Sequence, residues 1–378
     1  MKILLLDAGN QNTLAITRWL GKSKSGELHL AGFNKLALSF YSKYCKKKYI
    51  LPRPSNQQEY FPALLKLVKE GKFDILFPVG NYSFETCVRH YDELSHYCKL
   101  LVPGIHCFDV AASKAATYKL AEECGVHVPA GYTFETREQL FNTALNFPVV
   151  IKAPFEMGKN VVEYAGNKKE FFEKFDKMCA VNGFGLGSWP IIQQYIRGDG
   201  YGFFAFYDNG KCGATFMHKR IREYPVTGGA STCAISVNEK ELADTGKRLL
   251  DKLGWNGAAM VEFKRSNDDG KYYLMEINPK FWGSLELALA SGVNFPEMVI
   301  NKLTGQKVST PSHWKDVRFQ WVLNGELFHF FERPSSFLSI IRDLFRSKKD
   351  FRWSDPLPNL IQVVMIFNYF FRKLTGKK

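Results

Sequence analysis

Two short apolar segments in the 378-residue chain predict the strands of one β-hairpin, and this hairpin restricts the fold more than any other feature. The segments are 260–264 and 272–278, and a turn-forming Asn-Asp-Asp-Gly sequence separates them. Side chains alternate between the two faces of a strand, so Glu276 and Asn278 point the same way, and a paired register would bring Glu262 beside them. The hairpin therefore predicts two carboxylates and an amide oxygen on one face.

Oxygen ligands of this kind suit Mg²⁺, which binds proteins through one or two carboxylates and completes its shell with water and nucleotide phosphates. Mn²⁺ accepts the same ligand types and is kept as a substitute. A metal at Glu262, Glu276 and Asn278 therefore predicts a phosphate-bearing ligand. The alternative is an ordinary hairpin whose acidic residues face solvent, and a Glu-x-Asn sequence on its own favours that alternative.

The composition indicates a globular protein with acidic partners. The chain has 46% hydrophobic residues, a formal net charge of +14 and a pI near 9.2. Its length is sufficient for two or three packed units. The positive charge favours a nucleotide, a nucleic acid or an anionic membrane surface without choosing among them. Eight scattered cysteines with no Cys-x-x-Cys pair indicate reduced thiols, so we expect a cytoplasmic protein.

Residues 1–108 alternate strand-like and helix-like segments, which is the pattern of a parallel α/β layer. Apolar runs at 2–7 and 74–79 predict buried strands, and 60–70 has helical spacing. These elements predict a small doubly wound domain. The glycine after the first strand lies outside any Gly-x-Gly-x-x-Gly sequence, so a dinucleotide site is not expected.

Two lysines precede the hairpin at positions that suit phosphate binding. Lys152 ends a β-branched strand and is expected to be partly buried, where an ammonium group needs an anionic partner. Lys114 begins a predicted helix that Ser113 caps. By itself, Lys114 also fits a surface lysine on an amphipathic helix.

Together, these lysines, the strand of Glu262 and the Glu-Ile-Asn-Pro sequence at Glu276 resemble the ATP-grasp superfamily, with Lys280 where arginine is usual. The resemblance covers residues 1–305. It implies an α/β and α+β fold with an N-terminal Rossmann-like pre-ATP-grasp domain, an ATP-grasp domain of two subdomains that hold ATP, and a mainly helical C-terminal extension. The implied limits are 1–108, 109–305 with subdomains of about 109–195 and 196–305, and 306–378.

The resemblance also implies which residues bind ATP, the metal and the substrates. ATP would be bound by phosphate-contacting lysines, a glycine of the covering loop, and residues near the adenine and ribose: Lys114, Lys152, Gly158, Gln193, Gln194, Ile196 and Asp199. The metal ligands would be Glu262, Glu276 and Asn278. The substrate carboxylate and the transferred phosphoryl group would be held by basic residues with a catalytic role: Arg220, Arg222 and Lys280.

The implied activity is an ATP- and Mg²⁺-dependent ligase that joins a small-molecule carboxylate to an amine through an acylphosphate. Two alternatives remain open. One is another ATP-grasp chemistry, like that of carbamoyl-phosphate synthase or a biotin-dependent carboxylase. The other is an ATP-binding protein without turnover. A nucleic-acid partner is not expected, because no array of aromatic residues or binding motif surrounds the basic cluster at 46–48.

The C-terminal segment lies outside the resemblance. Residues 337–345 predict an amphipathic helix, and 360–371 is almost wholly apolar but too short to span a membrane. From residue 334 to the last residue, nine Lys and Arg stand against three Asp. These helices would either contact the inner face of an anionic membrane peripherally, or pack on the body of the protein or form a dimer interface.

Overall fold

A computed structural model describes residues 1–154 and 162–375 of the chain. Among the described residues the strands form three sheets. The first, here called the N-terminal sheet, has the parallel order β3-β2-β1-β4. Its strands are β1 Lys2–Leu5, β2 Glu27–Gly32, β3 Cys45–Ile50 and β4 Ile75–Phe77. The helices of this region are α1 Gln11–Lys22, α2 Gln57–Gly71, α3 Asn81–Arg89, α4 Tyr91–Ser95 and α5 Ile105–Ala112.

Strand β1 is buried on both faces, which explains its uninterrupted apolar sequence. Ile3 and Leu5 pack in a core shared with the large sheet described below, whereas Leu4 and Leu6 pack in a separate core with α2 and α3. All four side chains are fully buried. The predicted parallel α/β layer is therefore confirmed.

The second or small sheet is antiparallel, with the order β5-β8-β6-β7. Its strands are β5 Gly131–Tyr132, β6 Val149–Lys152, β7 Val162–Ala165 and β8 Ile191–Gln194. The accompanying helices are α6 Lys114–Glu123, α7 Arg137–Asn142 and α8 Lys168–Asn182. Phe171 and Phe175 of α8 are fully buried against the sheet, where they pack with Val149 and Ile151.

The third or large sheet has the order β13-β12-β9-β10-β11-β14-β15. Its long strands form adjacent hairpins that carry the predicted metal ligands. The strands are β9 Gly198–Asp208, β10 Lys211–Tyr224, β11 Ala230–Ser236, β12 Gly257–Ser266, β13 Tyr272–Asn278, β14 Arg318–Gln320 and β15 Lys348–Lys349. The helices on this sheet are α9 Lys240–Lys252, α10 Leu285–Ser291 and α11 Phe295–Thr304.

The C-terminal segment is mainly helical, as predicted, but it also contributes β14 and β15 to the edge of the large sheet. Its helices are α12 Leu327–Glu332, α13 Phe337–Arg346 and α14 Leu357–Thr375. None of the helices in the described part of the chain is both long and apolar enough to cross a bilayer. The predicted domain limits remain a proposal.

Candidate active site

A cavity of about 440 Å³ lies where the small sheet faces the large sheet. Its wall combines strand residues from both sheets with the loops that follow β10 and β13. The lining includes most of the predicted site residues: Lys114, Lys152, Gln193, Gln194, Ile196, Arg220, Glu262, Glu276, Asn278 and Lys280. Residues that are far apart in the sequence therefore meet in one cleft.

The hairpin β12–β13 brings the two predicted metal-binding carboxylates together. Glu262 pairs with Glu276 across the antiparallel ladder, so the predicted pairing is confirmed. The Asn278 side-chain amide donates a hydrogen bond of 2.7 Å to the Glu276 carboxylate. All three residues line the cavity, so two carboxylates and one amide group share one wall.

Arg220 of β10 holds Glu262 from the other side. Its Nη2 donates to the Glu262 carboxylate at 2.5 Å, and its Nη1 donates to the carbonyl of Gly229 at 3.1 Å. Burial acts to lower the pKa of this guanidinium, but the carboxylates of Glu262, Glu223 and Glu276 together raise it. The Nε of Arg220 is buried and has no hydrogen-bond partner in the described part of the chain. This donor is available to an anionic ligand.

The two carboxylates differ in acidity because their surroundings differ. Burial raises the pKa of Glu262; Arg220 opposes the change and the neighbouring Glu276 adds to it. Burial also acts to raise the pKa of Glu276, but the charge of Lys114 and the hydrogen bond from Asn278 leave that pKa below its ordinary value. Glu276 is therefore held in the charged form that a metal ion requires.

The lysines lie on the facing side of the cleft. Lys152 is the last residue of β6, and burial lowers the pKa of its ammonium group although Glu276 and Glu262 act to raise it. Lys114 is the first residue of α6, whose predicted cap is confirmed because the Ser113 hydroxyl accepts a hydrogen bond from Ala116. Both lysines line the cavity with Lys280.

The strand β8 and the residues after it form the end of the cavity where the sequence predicts adenine binding. Gln193, Gln194 and Ile196 all line this end. The Tyr118 hydroxyl fixes the Gln193 side chain by donating to its Oε1 at 3.2 Å. Asp199 lies apart: it is exposed, pairs with Lys219 at 2.6 Å and is outside the described lining. We therefore do not assign Asp199 to the ribose.

Arg222 does not face the cavity, which corrects the sequence-based placement. The ladder between β10 and β11 shifts register on both sides of Arg222, so the regular alternation from Arg220 is broken. Arg222 is buried on another side of the strand and donates to Glu326 at 2.9 Å and to Asp343 at 2.8 Å. It joins the sheet to the C-terminal segment and is outside the described lining.

Sequence reasoning missed several lining residues. Lys264 lies two positions after Glu262 on the same strand face, and its Nζ donates to the carbonyl of Ile196 at 3.4 Å. The alternation of side chains along a strand, with a period of two residues, could have identified Lys264. Glu223 and Tyr164 also line the cleft, but no local sequence signal distinguishes them.

The loop after β10 contributes two glycines to the cavity wall. A larger residue at either position would force neighbouring atoms to move. Gly228 has φ of +141°, and a Cβ there would lie 2.3 Å from the Tyr164 hydroxyl. A Cβ on Gly229 would lie 2.2 Å from the carbonyl oxygen of Tyr224. The predicted loop residue Gly158 lies outside the described residues.

These residues fit a magnesium nucleotide better than a metal held by protein alone. No group of three or more His, Cys, Asp or Glu side chains suitable for a metal occurs within the described ranges. Two adjacent carboxylates match Mg²⁺ when substrate phosphates complete its shell. The facing lysines and the unused donor of Arg220 supply positive charge for those phosphates.

Comparisons with known proteins agree with this geometry. A family model described as ATP-grasp in the biosynthetic pathway with Ter operon matches residues 210–324, which include β12 and β13. A D-aspartate ligase of Enterococcus faecium is 24% identical over 321 residues, which cover 79% of this chain and 75% of the ligase. The chain is therefore similar to ATP-grasp proteins in sequence as well as in the geometry of this cleft.

Solved structures share the fold of this chain. A biotin carboxylase from Campylobacter jejuni has a TM-score of 0.68 and 18% identity, with coverage of 84% of this chain and 74% of that structure. An L-amino acid ligase from Bacillus licheniformis has a TM-score of 0.63 and 15% identity, with coverage of 80% and 74%. The predicted fold class and the predicted resemblance to the ATP-grasp superfamily are confirmed.

Proposed function

We propose that this protein is an ATP-grasp enzyme, an ATP- and Mg²⁺-dependent ligase that joins a small-molecule carboxylate to an amine through an acylphosphate. The observation that carries the proposal is the pairing of Glu262 with Glu276 in a cleft that also contains Lys114, Lys152 and Arg220. This set has ligands for a metal and for phosphates, which are the requirements of phosphoryl transfer.

The metal would be held by Glu262, Glu276 and Asn278, and it would supply charge neutralisation at the phosphates of ATP. The lysines would bind the same phosphates by charge, while Gln194 and Ile196 would contact the adenine through backbone groups at the edge of β8. Arg220 would stabilise the negative charge that develops on the transferred phosphoryl group. Its rigid contacts with Glu262 and Gly229 fix the guanidinium before substrate arrives.

The cavity suits a mechanism in which the protein positions the reacting groups and forms no covalent bond with them. Its described lining contains neither cysteine nor histidine, so a covalent intermediate on either side chain has no support. The substrate carboxylate would attack the terminal phosphoryl group of ATP, and ADP would leave. The amine would then attack the acyl carbon of the acylphosphate, form the amide and release inorganic phosphate.

We also propose that the amine approaches through a second cavity of about 310 Å³. Lys280 lines both cavities, so the acylphosphate and the incoming nucleophile would meet at this residue. Tyr82 and Phe108 supply apolar lining. Glu85 and Asp109 line the cavity as well, and both carboxylates are paired with Arg89, at 2.8 Å and 3.1 Å. This lining suits a small amine with an apolar framework.

The name of the D-aspartate ligase favours carbon–nitrogen bond formation over the carboxylase-like alternative, because its match extends over 79% of this chain. The carboxylate and amine substrates of that ligase are not assigned to this chain. We propose a cytoplasmic enzyme, since ATP is supplied there and all eight cysteines are free thiols.

Hydroxylamine trapping tests the proposed intermediate. The enzyme is incubated with MgATP, hydroxylamine and panels of amino acids and other small carboxylic acids, while ADP release and hydroxamate are measured together. Hydroxamate in proportion to carboxylate-dependent ADP release is expected, because hydroxylamine attacks an acylphosphate. Carboxylate-dependent ADP release without any hydroxamate would contradict the mechanism, and MgATP binding with no ADP release for any panel would favour the binding protein.

A further inference from the structure

The two long C-terminal helices present their apolar sides outward. On α13, Leu338 is 79% exposed and Phe345 is 87% exposed, and Ile341 on the same side is also exposed. In contrast, Asp343 on the opposite side is only 2% exposed. A helix that packs only on its own protein buries its apolar side, so this orientation is the reverse of the usual one.

Ion pairs fix the orientation of α13. The Asp343 carboxylate accepts hydrogen bonds from Arg222 at 2.8 Å and from Arg318 at 3.2 Å. Rotation of the helix to bury Phe345 would break both ion pairs, and the buried Arg222 would keep only its contact with Glu326, which is unfavourable. The ion pairs on the inward side of α13 therefore keep its apolar side turned outward.

Helix α14 repeats the same arrangement. Asn359 and Gln362 are buried, and the Asn359 side chain accepts a hydrogen bond of 2.8 Å from Arg18 of α1. Leu360, Val364 and Phe367 are exposed, and their spacing places them along one side of the helix. Two helices that follow each other in the sequence thus attach through polar residues and expose apolar ones.

The charges around these apolar sides have one sign. The acidic residues between 334 and 371 are Asp343, Asp350 and Asp355, and each is buried. The exposed charged side chains that the structure describes in this range are all positive: Arg342, Arg346 and Lys348. Trp353, which is 85% exposed, adds an aromatic residue of the type found at membrane interfaces.

We propose that the exposed sides of α13 and α14 bind the surface of an anionic phospholipid membrane. Apolar side chains would enter the boundary between headgroups and acyl chains, and the basic residues would contact lipid phosphates. A second copy of the chain is a poorer match, because identical faces would bring positive charges together. The helices lie on the membrane in this proposal and do not cross it.

Flotation of the full chain with lipid vesicles tests the proposal independently of ligase activity. Vesicles of phosphatidylcholine with phosphatidylglycerol are compared with vesicles of phosphatidylcholine alone, at low and high salt. We expect flotation only with the anionic vesicles, and weaker flotation at high salt, because salt screens the attraction.

Paired variants locate the binding surface. Leu338→Ser with Phe345→Ser removes apolar contacts, and Arg342→Gln with Arg346→Gln removes charge. Each pair is expected to weaken vesicle binding by roughly tenfold or more. Matched controls are exposed residues elsewhere: Val181→Ser with Leu186→Ser, and Lys46→Gln with Lys47→Gln. An unchanged melting temperature would show that each variant is folded.

Several results would overturn the proposal. Wild-type protein that stays at the bottom of the gradient at low salt would do so, as would equal flotation with both kinds of vesicle. Control variants that lose as much vesicle binding as the α13 variants would also contradict it. A wild-type dimer that dissociates in Leu338→Ser with Phe345→Ser, without any flotation, would assign the surface to a second copy of the chain.

Discussion

At the scale of single residues, the cleft contains ionisable groups whose burial is unfavourable until a ligand arrives. Lys152 is the clearest case. Burial lowers the pKa of its ammonium group, and the carboxylates of Glu276 and Glu262 only partly compensate. A triphosphate would supply the missing negative charge. The cost of burying Lys152 is therefore consistent with a binding role and not with a stabilising one.

Lys152→Met tests that conclusion. The substitution keeps the length of the side chain and removes the charge, so the melting temperature should stay the same or rise. The affinity for MgATP should fall by roughly tenfold or more, since a charge-assisted contact is lost. Calorimetry and thermal melts measure the two effects, with the exposed Lys169→Met as the control. A lower melting temperature with unchanged affinity would assign Lys152 a structural role.

Regular elements explain which site residues could be predicted from the sequence. The pairing of Glu262 with Glu276 follows from strand alternation and a strong turn signal between β12 and β13, and the structure has that register. Arg222 was misplaced because a bulge interrupts the alternation in β10, and nothing in its local sequence marks the extra residue. The alternation of side chains along a strand therefore predicts the face of a residue only where the pairing with the neighbouring strand is regular.

The C-terminal helices extend this lesson. Their positions and the apolar side of α13 were predictable from helical spacing. Whether that side faces solvent or the protein was not predictable. The orientation depends on ion pairs from Asp343 to Arg222 and Arg318, which are distant in the sequence. Amphipathic spacing identifies a side of a helix, and tertiary contacts decide where that side faces.

The loop between β10 and β11 has its own prediction. A Cβ at Gly229 would clash with the backbone of Tyr224, so Gly229→Ala should displace the carbonyl that accepts from Arg220. Turnover is expected to fall roughly tenfold or more, because a displaced catalytic group loses its alignment. The melting temperature should fall as well. Gly185→Ala, outside the described lining of the cleft, is the control, since no atom lies within 4 Å of the position that its methyl group would take.

An unchanged melting temperature and an unchanged rate of ADP release in Gly229→Ala would show that the loop adapts freely. In that case Arg220 would not depend on the Gly229 carbonyl for its position.

At the scale of the whole molecule, buried charges connect the C-terminal segment to the rest of the protein. Arg18 of α1 donates to Asp355 at 3.0 Å and to the Asp350 carbonyl at 3.1 Å. Nearby, Glu286 of α10 lies 3.7 Å from Arg352. Burial, with the proximity of Asp350, raises the pKa of Glu286 to about 8. The segment is thus attached through a cluster that includes a carboxyl of unusual acidity.

The stability of the protein should therefore depend on pH through Glu286. Its pKa is higher in the folded state than in the unfolded state, so the folded state binds more protons between these values, and stability falls as pH rises from about 5 to 8. Glu286→Gln removes this contribution, while Asp350, whose pKa burial raises to about 6, retains a smaller one. The melting temperature of Glu286→Gln should exceed that of the wild type by about 2 °C or more at high pH and approach it near pH 5.

Thermal melts of both proteins over this pH range measure the effect. A wild-type advantage that grows with pH would have the opposite sign and would show that Arg352 keeps Glu286 ionised in the folded protein.

The central claim is that the paired carboxylates and facing lysines bind ATP with magnesium, and calorimetric titration of ATP tests it most directly. Wild-type protein should bind ATP tightly with Mg²⁺ and much more weakly with a chelator present. Glu276→Gln should lose most of the magnesium-dependent gain in affinity while its melting temperature is unchanged, and the exposed Glu138→Gln should behave as the wild type. ATP binding that is equally tight with and without Mg²⁺, or that Glu276→Gln leaves unchanged across a magnesium titration, would contradict the account.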